Sequence, residues 1–132
     1  MRREYAGLRV LVVEDEPINR EIATIMLEEV CIVVDTACDG AQAVERASGF
    51  AYPLILMDMQ MPLMDGLAST RAIRQLPGYA HIPILAMTAN AFREDKERCM
   101  EAGMSRFLTK PITPNDLYAS LLNALGGDPE AS

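Results

Sequence analysis

The sequence predicts an α/β fold in which one parallel sheet carries helices on both faces. Short apolar segments of strand type recur five times, residues at helical spacing fill the stretches between them, and the two patterns alternate strictly along the chain. Alternating strands and helices form βαβ units, which cover both faces of a parallel sheet. At 132 residues, half of them hydrophobic, the chain is long enough for one domain with a hydrophobic core.

The first half of the chain supplies two of these units. Residues 8–13 are almost wholly apolar, as a strand covered on both faces should be. Pro17 suits a first helical turn, and apolar residues recur at helical spacing after it, namely Ile18, Ile22, Ile25, Met26 and Val30. A second strand spans residues 32–36. Asp39 then caps a second helix, whose predicted buried residues are Ala43, Val44 and Ala47.

Three further units complete the domain. In chain order they are a strand at 54–57, a helix ending near 75, a strand at 82–87, a helix at 91–102, a strand at 106–109 and a helix beginning after Thr113. Thr113 and Asp116 have the spacing of a capping box. We expect an N-terminal extension at 1–7, the domain at 8–126, and a flexible tail or the start of a linker at 127–132.

The composition argues against several classes of function. A net charge of −7 is unsuited to binding a nucleic-acid backbone, and no apolar run approaches the ~20 residues of a membrane-spanning helix. The opening residues lack the apolar core of a signal peptide. Cys31, Cys38 and Cys99 form no CxxC pair and suit free thiols in a reducing compartment. These features predict a cytoplasmic protein without direct nucleic-acid or membrane contacts.

Chemically distinctive residues follow four of the five predicted strands. Glu14 and Asp15 come after the first strand, Asp58 after the third, Thr88 after the fourth and Lys110 after the fifth. In doubly wound folds, functional groups gather beyond the carboxyl ends of the strands, where the strand order reverses. We therefore expect three carboxylates, a hydroxyl and an ammonium group to converge on one edge of the sheet.

Carboxylates held close together repel one another, so this arrangement predicts a bound cation. Mg²⁺ prefers oxygen ligands and typically uses one or two carboxylates together with a phosphate oxygen. Glu14, Asp15 and Asp58 bring three negative charges, which one Mg²⁺ and Lys110 would balance. A phosphoryl group on Asp58 would then meet the cation, the ammonium group and the Thr88 hydroxyl. Aspartate does serve as a phosphoryl acceptor in other proteins.

Four segments resemble the motifs of response-regulator receiver domains, and they occur in order at the expected strand ends. They are Leu-Val-Val-Glu-Asp-Glu-Pro (11–17), Ile-Leu-Met-Asp-Met-Gln-Met-Pro (55–62) with Asp65-Gly66, Ala-Met-Thr-Ala-Asn-Ala (86–91) and Phe-Leu-Thr-Lys-Pro-Ile (107–112). The resemblance covers nearly the whole chain. It implies a doubly wound, flavodoxin-like fold with a five-stranded parallel sheet of order 2-1-3-4-5.

The resemblance also implies a role for each metal-site residue. Asp58 is the phosphoacceptor and also one of the metal-binding residues, and Asp15 is the direct carboxylate ligand of the metal. Glu14 acts on the metal mainly through water, and the backbone carbonyl of Gln60 completes the protein ligands. Glu14 stands where Asp is common in the family, and its extra methylene could shift the metal slightly.

Two further roles follow from the same resemblance. Thr88 and Lys110 hold the phosphoryl oxygens, which makes them catalytic residues together with Asp58. Thr88 and Phe107 form a switch that transmits phosphorylation to a partner surface. Phe107 stands where Tyr is frequent in the family, so no hydroxyl group can mark the switched state.

Several other functions compete with this interpretation. A phosphohydrolase with an Asp nucleophile usually carries a second acid two residues later, where this chain has Gln60. A flavin- or nucleotide-binding protein needs a Gly-rich or hydroxyl-rich loop after the first strand, where this chain has Glu14-Asp15-Glu16. A receiver-like module without phosphorylation would lack an acid, the lysine or the acceptor. Taken singly, each residue also has an ordinary structural explanation, such as acids at a helix N-terminus.

The amino-acid sequences of three segments favour one type of parent protein. Met-Asp-Met-Gln-Met-Pro (57–62), Thr-Ala-Asn-Ala-Phe (88–92) and Lys-Pro-Ile (110–112) resemble receivers attached to hybrid sensor histidine kinases. The predicted phosphodonor is a histidine kinase or its phosphotransfer domain. The chain itself is predicted to be a phosphoacceptor and not a kinase, although a hybrid parent protein would be a histidine kinase. A stand-alone single-domain response regulator is the alternative.

Overall fold

Five parallel strands form one sheet in a computed structural model of the chain, in the order β2-β1-β3-β4-β5. The structure describes residues 7–59, 66–88, 101, 106–109 and 112–125. The strands are β1 (Arg9–Val13), β2 (Val33–Ala37), β3 (Leu54–Asp58), β4 (Ile84–Thr88) and β5 (Arg106–Thr109). The predicted fold class and strand order are confirmed.

Four described helices connect or follow these strands. They are α1 (Pro17–Glu28), α2 (Gly40–Gly49), α3 (Gly66–Arg74) and α4 (Pro114–Leu125). Of the helix predicted at 91–102, only Glu101 is described, and it is helical. Residues 1–6 and 126–132, which carry most of the predicted extension and tail, lie outside the described residues. No helix in the described part of the chain has the length and apolar character needed to cross a membrane.

The core consists of two apolar layers, one on each face of the sheet. Alternate strand residues point to opposite faces, so Leu11 and Val13 join the layer under α2 and α3, which includes Ala43, Ala47 and Ile73. Val10 and Val12 join the other layer, which includes the helix residues Ala23, Leu27, Leu117 and Leu121. Strands β3 and β4 are buried along their whole length, which explains their continuous apolar sequence.

Helix α1 forms as predicted, but its buried face is not the repeat of isoleucines. Ala23 and Leu27 are the buried residues of this helix, whereas Ile18, Ile22 and Ile25 are 66%, 43% and 49% exposed. Ala23 and Leu27 are four residues apart and pack against the sheet, while the isoleucines share a different side of the helix. We call Ile18, Ile22 and Ile25 the isoleucine face.

The helix caps follow the sequence signals closely. The Asp39 side chain accepts a hydrogen bond from the backbone N–H of Gln42 at 2.7 Å, and the Gln42 side chain accepts one from the N–H of Cys38 at 2.7 Å. The first bond satisfies an N–H group that the first turn of the helix leaves without a partner, and the second ties Gln42 to the residue before the cap. The Thr113 hydroxyl accepts a hydrogen bond from the N–H of Asp116 at 3.2 Å, which confirms the predicted cap of α4.

The chain leaves α1 through a Schellman motif. The N–H of Ile32 donates to the carbonyl of Leu27, and the N–H of Cys31 donates to the carbonyl of Glu28. Cys31 therefore occupies a left-handed position, with φ 65°, where glycine is the usual residue. Leu27 and Ile32 both belong to the same core layer, so this turn delivers the chain directly into β2.

A polar network joins β1, β2 and the segment before β3, away from the strand ends that carry the acidic residues. The Arg9 guanidinium contacts both carboxylate oxygens of Asp35, at 3.2 and 3.1 Å, and the Tyr52 hydroxyl donates to Asp35 at 2.6 Å. The hydrogen bond from Tyr52, with the Arg9 charge, holds the pKa of Asp35 below its ordinary value. Burial and the Asp35 carboxylate raise the pKa of Tyr52.

Candidate functional site

Three carboxylates meet at the carboxyl ends of β1 and β3. Glu14 and Asp15 directly follow β1, and Asp58 is the last residue of β3. The two strands are neighbours and Val13 pairs with Met57, so Glu14 and Asp58 come next in register. One carboxylate oxygen from each of the three residues lies within 4.8 Å of the other two. Glu14 and Asp58 are only 1% and 2% exposed, and Asp15 is less buried.

Backbone and side-chain hydrogen bonds fix Glu14 in this cluster. Its N–H donates to the carbonyl of Ala37 in β2 at 3.0 Å. One of its carboxylate oxygens accepts a hydrogen bond from the N–H of Glu16 at 3.2 Å. Its carbonyl accepts one from the Arg20 guanidinium at 3.0 Å. Arg20 was not among the residues predicted for the site. An arginine one turn into the helix that follows an acidic run could have indicated a contact between the helix and that run.

Glu16 closes the loop between the acidic residues and α1. Its side chain accepts a hydrogen bond from the N–H of Asn19 at 2.8 Å, which makes Glu16 the N-terminal cap of the helix. An acidic cap is favourable at this end because the helix dipole places partial positive charge there. Glu16 therefore has a structural role beside Glu14 and Asp15, and the same acidic run serves both the cap and the cluster.

The donor chemistry of the cluster fits Mg²⁺. Carboxylates gathered this closely repel one another, and a bound cation would offset that repulsion. All three residues offer hard oxygen donors, and their oxygens are close enough for one small ion to contact them directly or through its own water. Gln60, whose carbonyl was predicted to be a further ligand, lies outside the described residues.

Thr88 lies beside the cluster on the next strand. It is the last residue of β4 and is buried. Asp58 pairs with Met87, the residue before Thr88, and the N–H of Met59 donates to the Met87 carbonyl at 3.0 Å. Thr88 is thus one residue beyond the partner of Asp58, and it lies at the same edge of the sheet as the carboxylates. Its predicted contact with a phosphoryl oxygen stays a prediction.

Of the two other predicted residues, the structure describes only the backbone of Phe107 and does not describe Lys110. Phe107 lies in β5, where its backbone pairs with Ala86, but its side chain is outside what the structure describes. Lys110 also lies outside the described residues. It follows Thr109, which pairs with Thr88. The roles predicted for Lys110 and Phe107 therefore stay predictions.

Comparison with known proteins identifies what this chain is similar to. The family model described as response regulator receiver domain matches residues 10–122. The signal transduction histidine-protein kinase BarA of Escherichia coli K12 is 42% identical over 116 residues, which cover 88% of this chain and 13% of BarA. The chain thus spans a small part of the length of this relative.

Two solved structures share the fold. The receiver domain of the sensor histidine kinase PA1611 from Pseudomonas aeruginosa, with a magnesium ion coordinated in its active site cleft, is 39% identical with a TM-score of 0.86 and coverage of 92% of this chain and 100% of that one. The receiver domain of Saccharomyces cerevisiae Ssk1, solved in complex with the histidine phosphotransfer protein Ypd1, is 28% identical with a TM-score of 0.81 and coverage of 91% and 90%.

Proposed function

The chain belongs to the response regulator receiver domain family, and from that premise we propose that Asp58 is the residue that receives its phosphoryl group. As a member of this family the chain is a phosphoacceptor in two-component phosphorelay signalling. The observation that carries the assignment is the place of Asp58. Its buried carboxylate ends the central strand β3 and has an oxygen within 4.8 Å of oxygens from Glu14 and Asp15.

The transfer itself requires little covalent chemistry from the protein. One Asp58 oxygen attacks the phosphorus of a phosphohistidine, and an O–P bond forms as the N–P bond breaks. The bonding electron pair leaves with the imidazole nitrogen of the donor. The Thr88 hydroxyl donates to one phosphoryl oxygen, and the Lys110 ammonium offsets the charge on another.

A magnesium ion at the acidic cluster is part of this proposal. Asp15 and Asp58 would bind it directly, Glu14 mainly through water, and the Gln60 carbonyl would complete the protein ligands. When bound, the ion supplies the positive charge that the carboxylates and the incoming phosphoryl group require. The magnesium ion in the related PA1611 receiver supports this assignment.

Labelling with acetyl phosphate tests the assignment. In the presence of Mg²⁺, intact-mass measurement should show one added phosphoryl group, and chelating the metal should abolish the gain. Asp58→Asn should remove labelling completely. Asp39→Asn is the matched control, because asparagine is as good a helix cap as aspartate and Asp39 lies outside the cluster. Full labelling of Asp58→Asn would refute the proposal.

The isoleucine face is the surface that we propose for the phosphodonor. Helix α1 begins directly after residues 14–16, which we call the acidic loop, so this exposed apolar patch borders the site that the donor histidine must reach. Exposed apolar side chains along one helix favour docking of a partner helix. The partner that fits is a histidine kinase or its phosphotransfer domain, and the complex of the Ssk1 receiver with Ypd1 supports this class of donor.

The wider context is also proposed. The similarity of the chain to a segment of BarA supports an origin in a hybrid sensor histidine kinase, with a receiver at 8–126 between an extension and a tail or linker. Sequencing the DNA on either side of the region that encodes this chain would distinguish a hybrid kinase from a stand-alone regulator. Cys31 and Cys38 are free and exposed, which supports a reducing, cytoplasmic location.

Phosphorylation would act by shifting a conformational equilibrium. The proposed switch pairs Thr88, at the end of β4, with Phe107 on the neighbouring strand β5. The Thr88 hydroxyl would move toward the phosphoryl group, and the Phe107 ring would turn into the space beside it. A phosphoryl group changes the populations only through contacts that differ between the two states.

A further inference from the structure

We propose that Arg20 is a positioning residue of the metal site, which fixes the peptide between Glu14 and Asp15 and so sets the direction of both carboxylates. This inference rests on the proposed function, because it concerns the magnesium ion that those carboxylates would bind. Arg20 does not contact the reacting atoms in the proposal. It acts through the backbone of Glu14 and Asp15, the residues whose carboxylates would bind the metal.

The geometry anchors Glu14 on both sides of its Cα atom. On one side, its N–H donates to the Ala37 carbonyl of β2 at 3.0 Å. On the other side, Arg20 reaches back from α1 and donates from Nη1 to the Glu14 carbonyl at 3.0 Å. The backbone N–H of Arg20 also donates to the Glu16 carbonyl at 2.9 Å. One residue thus ties the acidic loop to the helix at two points.

The Glu14 carbonyl belongs to the peptide unit that also contains the Asp15 nitrogen. Because a peptide unit is planar, holding this carbonyl fixes the plane from which the Asp15 side chain departs. Asp15 is less buried than Glu14, so packing restrains it less and its backbone matters more. Groups that orient metal ligands without touching the metal typically change metal affinity by about 10–100-fold when removed.

The Arg20 charge and the Arg20 hydrogen bond have opposite effects on metal binding. A guanidinium near the cluster repels Mg²⁺, so loss of the charge alone would strengthen binding. Loss of the positioning hydrogen bond would weaken it. The sign of the change in affinity therefore separates the two roles.

Calorimetric Mg²⁺ titration of the purified chain provides this test. We expect Arg20→Met to weaken Mg²⁺ binding about tenfold, and Arg20→Lys, which keeps a donor, to recover part of the loss. The matched control is Arg46→Met, because Arg46 donates to the Thr36 carbonyl of β2 at 2.6 Å outside the cluster. Arg46→Met should bind Mg²⁺ as the unchanged chain does.

A second readout distinguishes positioning from damage to the fold. In acetyl phosphate labelling, Arg20→Met should need more Mg²⁺ for half of its maximal rate and reach a normal rate at saturating metal. A rate that stays low at saturating Mg²⁺, or an affinity equal to or above that of the unchanged chain, would overturn the proposal. If the unchanged chain binds no Mg²⁺, the proposed function fails instead.

Discussion

Glu14 and Asp58 lie side by side at the ends of adjacent parallel strands, both almost completely buried and with carboxylate oxygens within 4.8 Å of each other. Two negative charges about 5 Å apart repel by roughly 3 kcal/mol at an effective dielectric constant of about 20. The proposed phosphoacceptor therefore lies beside a second buried carboxylate, and either a bound cation or a neutral substitution would reduce the repulsion between them.

Asp58→Asn should therefore stabilise the metal-free chain. Removing one of the two buried charges abolishes their repulsion, so we expect Tm in a chelating buffer to rise by several degrees. Added Mg²⁺ should raise the Tm of the unchanged chain, because a ligand that binds only the folded state stabilises that state. The rise should be much smaller in Asp58→Asn, which lacks one of the proposed metal ligands. Thermal unfolding followed by circular dichroism measures both effects, and Asp39→Asn serves as the control. A lower Tm for metal-free Asp58→Asn would contradict this view of the cluster.

Ile22→Glu should impair docking of the phosphodonor protein and leave the phosphorylation of Asp58 by a small molecule intact. A charge on the isoleucine face should slow phosphotransfer from a phosphohistidine protein at least tenfold, because it opposes an apolar contact. Labelling by acetyl phosphate, which needs no docking, should be unchanged. Phe50→Ser removes another exposed apolar side chain away from the acidic loop and should affect neither reaction. Equal transfer rates for Ile22→Glu and the unchanged chain would exclude this surface.

Beryllofluoride, which mimics the phosphoryl group, should reveal the proposed switch. NMR spectra with Mg²⁺ and beryllofluoride should show shifts at Thr88, Phe107 and the surface around β5. Thr88→Ala removes the hydroxyl and should reduce the Phe107 shift while acetyl phosphate still labels Asp58. Unchanged rotamers for both residues would place the switch elsewhere.

Acid stability should depend on the bond between Asp35 and Tyr52. The folded-state pKa of Asp35 lies below its ordinary value of 3.8, so the carboxylate contributes stability that is fully present above that value. This contribution is lost as pH falls through the folded pKa. Asp35→Asn should thus cost stability at pH 7 and progressively less below about pH 4, as urea unfolding across pH measures.

Tyr52→Phe isolates the cause of that pKa shift. The Tyr52 hydrogen bond is its largest contribution, so its removal should raise the pKa of Asp35 in an NMR titration. Tyr118→Phe is the control, because that hydroxyl donates to the Met26 carbonyl at 3.0 Å and not to Asp35. An Asp35 pKa equal in both variants would exclude Tyr52 as the cause.

The sequence predicted the strands and caps well because these depend on local signals. The apolar run at β3 and the cap at Asp39 each follow from a few adjacent residues. Local signals also place Glu14, Asp15 and Asp58 at strand ends, and these residues meet because parallel strands end at the same edge of a sheet.

Other features depend on tertiary packing and could not be predicted in this way. Helical spacing identified α1 but could not decide which side the sheet covers, since Ala23 and Leu27 are as compatible with burial as Ile18 and Ile22 are. The bond from Arg20 to the Glu14 carbonyl requires the relative placement of helix and loop. The left-handed turn at Cys31 carries no glycine to reveal it.

The hydrogen bond from the Tyr118 hydroxyl to the Met26 carbonyl joins residues 92 positions apart. This separation affects how the chain folds while it is being synthesised. Leu117 and Leu121 complete the same apolar layer as Ala23 and Leu27, so that layer stays open on the ribosome until α4 has emerged. Contacts this distant in sequence slow folding because the chain must close a long loop first. A nascent chain that ends before residue 114 would therefore leave this apolar layer exposed to solvent.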